Sequence, residues 1–441
     1  MNIILSAILV GLSIIAIIIL TSRYKLNVFI ALFLVSIFLS FTALPAKNII
    51  GVFKEGFGST MSSIGLLIIL GTIIGIILDK AGGALSIAKY ILLKTGEKRS
   101  AAALGITGFI TGLPNFCDSG FIILSGLCRS LSAKSGLSKP FMATVLATSL
   151  YSVHCLIPPH PGALAAAGMM NANIGHLIII GILFAIPGTL AAFFWSKWIS
   201  KANRFETSSD EEIFTDYGEL PSVFRSFLPI VAPLLLIALR SLFTINADAG
   251  GGLIKEIIIV AGEPIFALSI GVVLALTLVK NKQQSSFNDI FKESLEKAGP
   301  ILIITAAGGM FGAVIKATGT GETLGKLLSE ANMGILAPFI IAVIMKTAQG
   351  SSTVAIITTA SFITPMLAPL GLDSESGRLF SMLAIGAGSM VVSHANDSYF
   401  WVISNFSEID SKDTLKVYST STIVMGTVVF ALVWITSVFV L

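Results

Sequence analysis

Hydrophobic positions along this chain neither alternate, as in a half-buried strand, nor keep to one stripe of a helix. They form near-continuous runs broken by short clusters of proline, glycine and charge. "NIILSAILVGLSIIAIIIL" (2–20), "FIALFLVSIFLSFTAL" (29–44) and "STIVMGTVVFALVWITSVFVL" (421–441) approach the roughly 20 apolar residues of a spanning helix. The same pattern predicts crossings near 3–20, 26–44, 60–78, 139–170, 174–196, 223–243, 256–279, 298–316, 378–404 and 420–441. Two further apolar stretches, about 101–128 and 334–370, carry turn residues in their middles: "ITGFITGLPNFCDSGFIILSG" and "IMKTAQGSSTVAIITTASFITP". These predict re-entrant hairpins, which enter and leave on one face. The expected fold is an all-α polytopic membrane protein with about ten crossings and two hairpins.

Composition agrees. Of 441 residues, 54% are hydrophobic and 12% charged, against about 25% charged in soluble domains. The first run has no basic stretch before it and no small-residue cleavage site, so it is expected to stay as a span. The net charge of +4 is spread over loops without a basic, aromatic-laced stripe, so nucleic acid is not an expected partner. Cys117, Cys128 and Cys155 lie in or beside apolar segments without paired spacing, which indicates neither disulfides nor a metal site. With the N-terminus outside, 20 of the 28 Lys and Arg fall in predicted cytoplasmic loops, among them Lys94, Lys98, Arg204, Lys280 and Lys282. The other eight include Lys316, Lys326, Lys346 and Arg378. That asymmetry follows the positive-inside rule, and treating either hairpin alone as a crossing would invert everything after it.

The chain also repeats. The stretch from Phe53-Lys54-Glu55 to 92 aligns with the stretch from Phe291-Lys292-Glu293 to 328, pairing Gly75 with Gly312. Each copy continues through an amphipathic stretch, a hairpin and a broken helix holding His154 or His394. Five predicted crossings separate the two starts, so the copies are expected to be inverted. The organisation expected is one integral membrane domain: scaffold helices at 1–52, repeat 1 at 53–200 and a cytoplasmic linker at 201–222. Linking helices follow at 223–290, and repeat 2 at 291–441.

Four motifs put polar residues inside this apolar frame. "GLPNFCDSG" (112–120) brings Asn115, Asp118 and Ser119 to the first hairpin tip, and "YSVHCLIPPHPG" (151–162) brings His154 and His160 to a proline-broken helix. In the second copy "KTAQGSSTVA" (346–355) supplies Gln349, Gly350, Ser351, Ser352 and Thr353, and "VSHANDSYFW" (392–401) supplies His394, Asn396, Asp397 and Ser398. Polar groups at such depth are costly unless hydrated or paired, and therefore are functional candidates. Freed amides at broken helix ends favour an anion, so Asn115, Ser119, residues 349–353, Asn396 and Ser398 are candidate carboxylate ligands. Asp118, His160, Asp397, His154 and His394 are candidate carriers of a coupling proton. Sodium at the same broken ends is the alternative, and neither cofactor nor metal is expected.

Plainer readings stand beside these. Asp118 and Asp397 are also what helix caps look like, and His154 and His394 suit buried, hydrogen-bonded side chains. Lys346 suits a lysine snorkelling to the surface, while Asp79, Glu263 and His176 fall at predicted span ends and are expected at the interface. A passive anion channel is a rival function. A membrane-embedded hydrolase is a second, but no HExxH, GxSxG or paired metal ligands occur.

Together "IPPHPG", "AQGSSTVA" and "HANDSYFW" resemble the signatures of the gluconate permease (GntP) family, within the ion-transporter superfamily. The resemblance extends through both repeats. It implies proton-coupled uptake of gluconate or a related sugar acid, an elevator-like movement, a bacterial inner membrane and a homodimer. Other members of the resembled family carry D-serine, glycerate or other short hydroxy acids. Lys346 stands where such relatives carry arginine, a point charge in place of a bidentate fork.

Overall fold

In hydrocarbon every backbone N–H and C=O must be satisfied within the chain, and the computed structural model is built of helices, with no strand among the residues it describes. These are 3–96, 99–203, 205, 219–245, 253–279 and 287–441. Most of the expected linker at 201–222, and Lys98, Arg204, Lys280 and Lys282, lie outside them.

Helices α1 (Ile3–Ile18) and α2 (Val28–Ala43) are joined by a π turn and by Asn27, whose side chain caps the Phe29 amide at 2.9 Å. The series continues with α3 (Ala46–Lys80) and α4 (Gly83–Thr95). The expected first hairpin is α5 (Ser100–Gly112) and α6 (Cys117–Ser135), and the first broken helix is α7 (Lys139–Leu156) and α8 (Pro161–Met170). Then come α9 (Ile174–Asn203), α10 (Val223–Ile245), α11 (Leu253–Ala261), α12 (Pro264–Leu276) and α13 (Phe287–Thr318). Helix α14 (Thr320–Glu330) leads into the second hairpin pair, α15 (Leu336–Gln349) and α16 (Ser352–Ile363), followed by α17 (Glu375–Met390) and α18 (Ser398–Phe406). Short α19 (Ser411–Thr414) passes through a π turn into α20 (Thr420–Val440).

Six of the described helices, with α7 and α8 taken together, are long and apolar enough to cross a membrane. The spans expected at 60–78 and 298–316 are parts of the longer α3 and α13. The span expected at 256–279 is instead α11 and α12, meeting at 77°. Pro264 opens α12, where its missing N–H costs nothing but a continuing helix would be broken, and Glu263 beside it pairs with Arg240 of α10. This gives Glu263 an ion-pair partner at a bend, where an interfacial span end was expected.

The core is built by α3 crossing α13 through small residues. A Cβ on Gly56 would sit 2.8 Å from the Gly309 carbonyl oxygen, so the helices can approach this closely only without it. Around that crossing, α5 packs on α7 and α15 on α17. Likewise α8 packs on α16, and α18 on α6. These contacts bring the turns of both helix pairs and the breaks of both interrupted helices to one region.

Candidate functional site

The first break follows from Pro158, Pro159 and Pro161, which remove three amide donors and end α7 at Leu156. It delivers His160 to the N-cap position of α8. His160 is 3% exposed, and its Nε2 lies 2.6 Å from the carbonyl oxygen of Gly112, at the end of the first arm of the 100–135 pair. Its ring sits 4.7 Å from that of His154, whose Nε2 lies 3.1 Å from Thr353 Oγ1 at the start of α16. Two imidazoles thus link the turn after Gly112 to the turn before Thr353. Tyr151 stacks along His154 at 6.4 Å and 10°, holding the ring plane. Helices α8 and α16 pack side by side from their starts here: a Cβ on Gly162 would lie 3.2 Å from the Thr353 Cα, and Met169 touches Ser361 further along.

The second copy reaches the same region by different chemistry. Asp397 takes the N-cap position of α18, its Oδ1 accepting from the Tyr399 amide at 3.0 Å, and its other oxygen receives Lys346 Nζ and Ser393 Oγ. Lys346 also donates to the Gly350 carbonyl and lies 5.6 Å over the Tyr151 ring. It is 0% exposed, against the expected snorkelling. Burial is tolerated because the ammonium has an acid and a carbonyl within bonding reach, whereas a surface excursion would leave Asp397 charged and alone. Asn396 donates to the Thr347 carbonyl at 2.7 Å. Gly350 between them has φ +87°, and a Cβ there would collide with the Asn396 carbonyl.

Asp118 lies in the first turn of α6, within electrostatic reach of both Asp397 and Lys346. Asn115 is 1% exposed and donates to Asp79 Oδ1 at 2.7 Å. Asp79, in the last turn of α3, is a half-buried clasp between that helix and the 113–116 turn, a partnership sequence spacing cannot signal across 36 positions. His176 pairs with Glu375 at 2.7 Å, away from this cluster. His394 and Ser398 are not drawn into the network among the described residues. His394 is half-buried and gives its carbonyl to the Asp397 amide at 2.8 Å, and Ser398 is exposed. Ser119 is half-buried on α6, and Ser351 Oγ caps α16 at the Val354 amide.

The starts of α6, α8, α16 and α18 therefore gather at one place, with polar atoms left over. Asn115 Oδ1, Asp118 Oδ1, His154 Nδ1, Asn396 Oδ1 and both amide atoms of Gln349 are buried without a protein partner. Native interiors leave few such atoms, so each is a polar group whose partner the protein's own side chains do not supply. Four positive helix ends favour an anion. Among the described residues no three His, Cys, Asp or Glu side chains converge as a metal site requires.

A helical membrane frame whose interrupted helices meet around a polar centre is a transporter architecture. The fold is shared with the YdaH transporter of Alcanivorax borkumensis, at a TM-score of 0.64 and 14% identity over 90% of each chain. It is shared more loosely with MtrF of Neisseria gonorrhoeae, described as an antimetabolite efflux pump (TM-score 0.55, 12% identity, 88% of this chain and 86% of that one). The chain belongs to the GntP family of permeases, whose family model matches residues 3–439. It is 32% identical over 439 residues to the inner membrane permease YgbN of Escherichia coli, covering 96% of both. It is 30% identical to a gluconate permease of Pseudomonas aeruginosa, covering 94% of both. The L-idonate transporter of Escherichia coli is 30% identical, with 90% of this chain and 91% of that one covered. This is a multi-pass membrane permease and not an enzyme.

Proposed function

We propose that this permease is a proton-coupled symporter that brings a small hydroxylated monocarboxylate, gluconate or a related sugar acid, into the cell. The observation that carries the reading is the gathering of four helix N-termini around unpartnered buried polar atoms. Amide dipoles there suit a carboxylate, and the hydroxyls and amides of Asn115, Ser119, Gln349, Ser351, Ser352, Thr353, Asn396 and Ser398 suit a polyol chain. Gly350 allows close backbone approach. The coupling proton is assigned to the titratable groups of the same cluster, Asp118, His160 and Asp397, with His154 and His394 beside them.

The two element series correspond, α3–α9 to α13–α20, with matched packing of α5 on α7 and α15 on α17. This supports an internal repeat, whose copies are proposed to be inverted, with the 100–135 and 336–363 helix pairs as re-entrant hairpins that move together as an elevator-like unit. The relative named an inner membrane permease supports a bacterial inner membrane, and a homodimer is the assembly proposed. In liposomes, purified protein is expected to catalyse counterflow of gluconate and to accumulate it only under a proton gradient. Flux without accumulation would make it a channel. If Asp118→Asn, His160→Ala and Asp397→Asn each leave proton-driven uptake unchanged, the assignment of the proton fails.

A further inference from the structure

We infer that Lys346 is a tethered cation filling a monovalent-cation site at the turn of the second helix pair, and that this excludes sodium as a coupling ion. The inference deepens the symport reading and rests on it only for its consequence, the choice of coupling ion.

The surroundings of the ammonium are those an alkali ion would choose. Its partners are the Gly350 carbonyl at the C-cap of α15 and the Asp397 carboxylate, with Ser393 Oγ on the same carboxylate oxygen and the Tyr151 ring face 5.6 Å away. A helix C-terminus is the negative end of the peptide dipole, and carbonyls at interrupted helices are hard oxygen ligands for sodium. Lys346 is 0% exposed and Asp397 4%, so the charge is not shared with solvent. The stem of Lys346 rises from within α15, four residues before Gly350, so the ammonium is delivered to the turn of its own helix. Other charged and titratable groups near it are Asp118 on α6 and His154 and Cys155 on α7.

Two cations cannot share this space. With Lys346 in place, the net charge of the pair is already balanced and every oxygen named is engaged. Removing the side chain leaves a carboxylate, a hydroxyl and a carbonyl around a space of ammonium size, which sodium can enter.

The test is thermal unfolding of purified full-length protein in sodium chloride against equal choline chloride, for wild type, Lys346→Ala and Lys346→Ala with Asp397→Asn. Ligand binding to the folded state alone raises the melting point. Sodium is expected to raise the melting temperature of Lys346→Ala, or to restore its folded yield, while leaving wild type and the double variant unmoved. Specific sodium stabilisation of wild type would overturn the inference, as would a folded Lys346→Ala blind to sodium. Gluconate counterflow by wild type is measured separately. Its absence would sink the carrier reading without touching the cation assay.

Discussion

Two acid partnerships define the chemistry of single side chains in this permease, and both are held by geometry instead of by charge count. Asp79 accepts from Asn115 Nδ2 at 2.7 Å, and Asn115 is almost fully enclosed. Removing the acceptor leaves a buried amide donor unpaired, at a cost of about 1–3 kcal/mol. Asp79→Ala is therefore expected to lower the melting temperature of the purified protein, and Asp79→Asn, which keeps an acceptor, to recover most of it. An equal loss in both variants would mean that the clasp depends on charge and not on hydrogen bonding. Lys346 and Asp397 stand differently, since each neutralises the other in an interior that would reject either alone. The motifs holding Asp397, Asn115 and His160 stand out in the chain because polar residues are rare in its apolar text. Lys346 and Asp79 do not, because a lysine or aspartate near the end of an apolar run has the same local pattern whether it snorkels or turns inward.

Proline, glycine and capping residues decide where helices stop. The proline cluster at 158–161 breaks the 139–170 helix where the sequence predicts it, and Asp397 caps the restart of α18. His154 and His394, matched by register along the chain, come to lie in different settings. His154 is inside α7 and His394 is in the open segment before α18, so the positional counterpart of His160 is Asp397. Val392 in the same segment has φ +56°, a left-handed conformation that costs a β-branched residue about 1–3 kcal/mol. Gly350 is the tighter constraint, combining φ +87° with contact to the Asn396 backbone. Gly350→Ala is expected to destabilise by about 2 kcal/mol or more in a denaturation series. Gly11→Ala, on an open side of α1 with no neighbour within 4 Å, serves as control and is expected to be neutral or slightly stabilising. Equal effects would argue that the turn before α16 is not held as described.

Across the molecule, the proposed inversion makes a topological claim that packing alone does not carry. It places α4 and α14, the amphipathic helices that follow α3 and α13, on opposite membrane faces. Single cysteines replacing Lys94 and Lys326 in a background lacking Cys117, Cys128 and Cys155 are expected to react with an impermeant thiol reagent from opposite sides of oriented vesicles. Labelling of both from one side would rule out inverted repeats. From composition and hydropathy alone the chain is a helical membrane protein with interrupted segments, since a hydrocarbon solvent penalises every unpaired backbone group and makes each proline or charge conspicuous. The 77° bend between α11 and α12 was not legible in that way, because its proline lies inside an apolar run long enough to pass for one span. Nor was the joining of Gly112 to Thr353 through two histidines, of Lys346 to Asp397, or of Asn115 to Asp79. These partners stand 36 to 199 positions apart, and local periodicity carries no information about which distant segments share a site. The packing of α8 on α16, of α15 on α17 and of α6 on α3 and α18 chooses them.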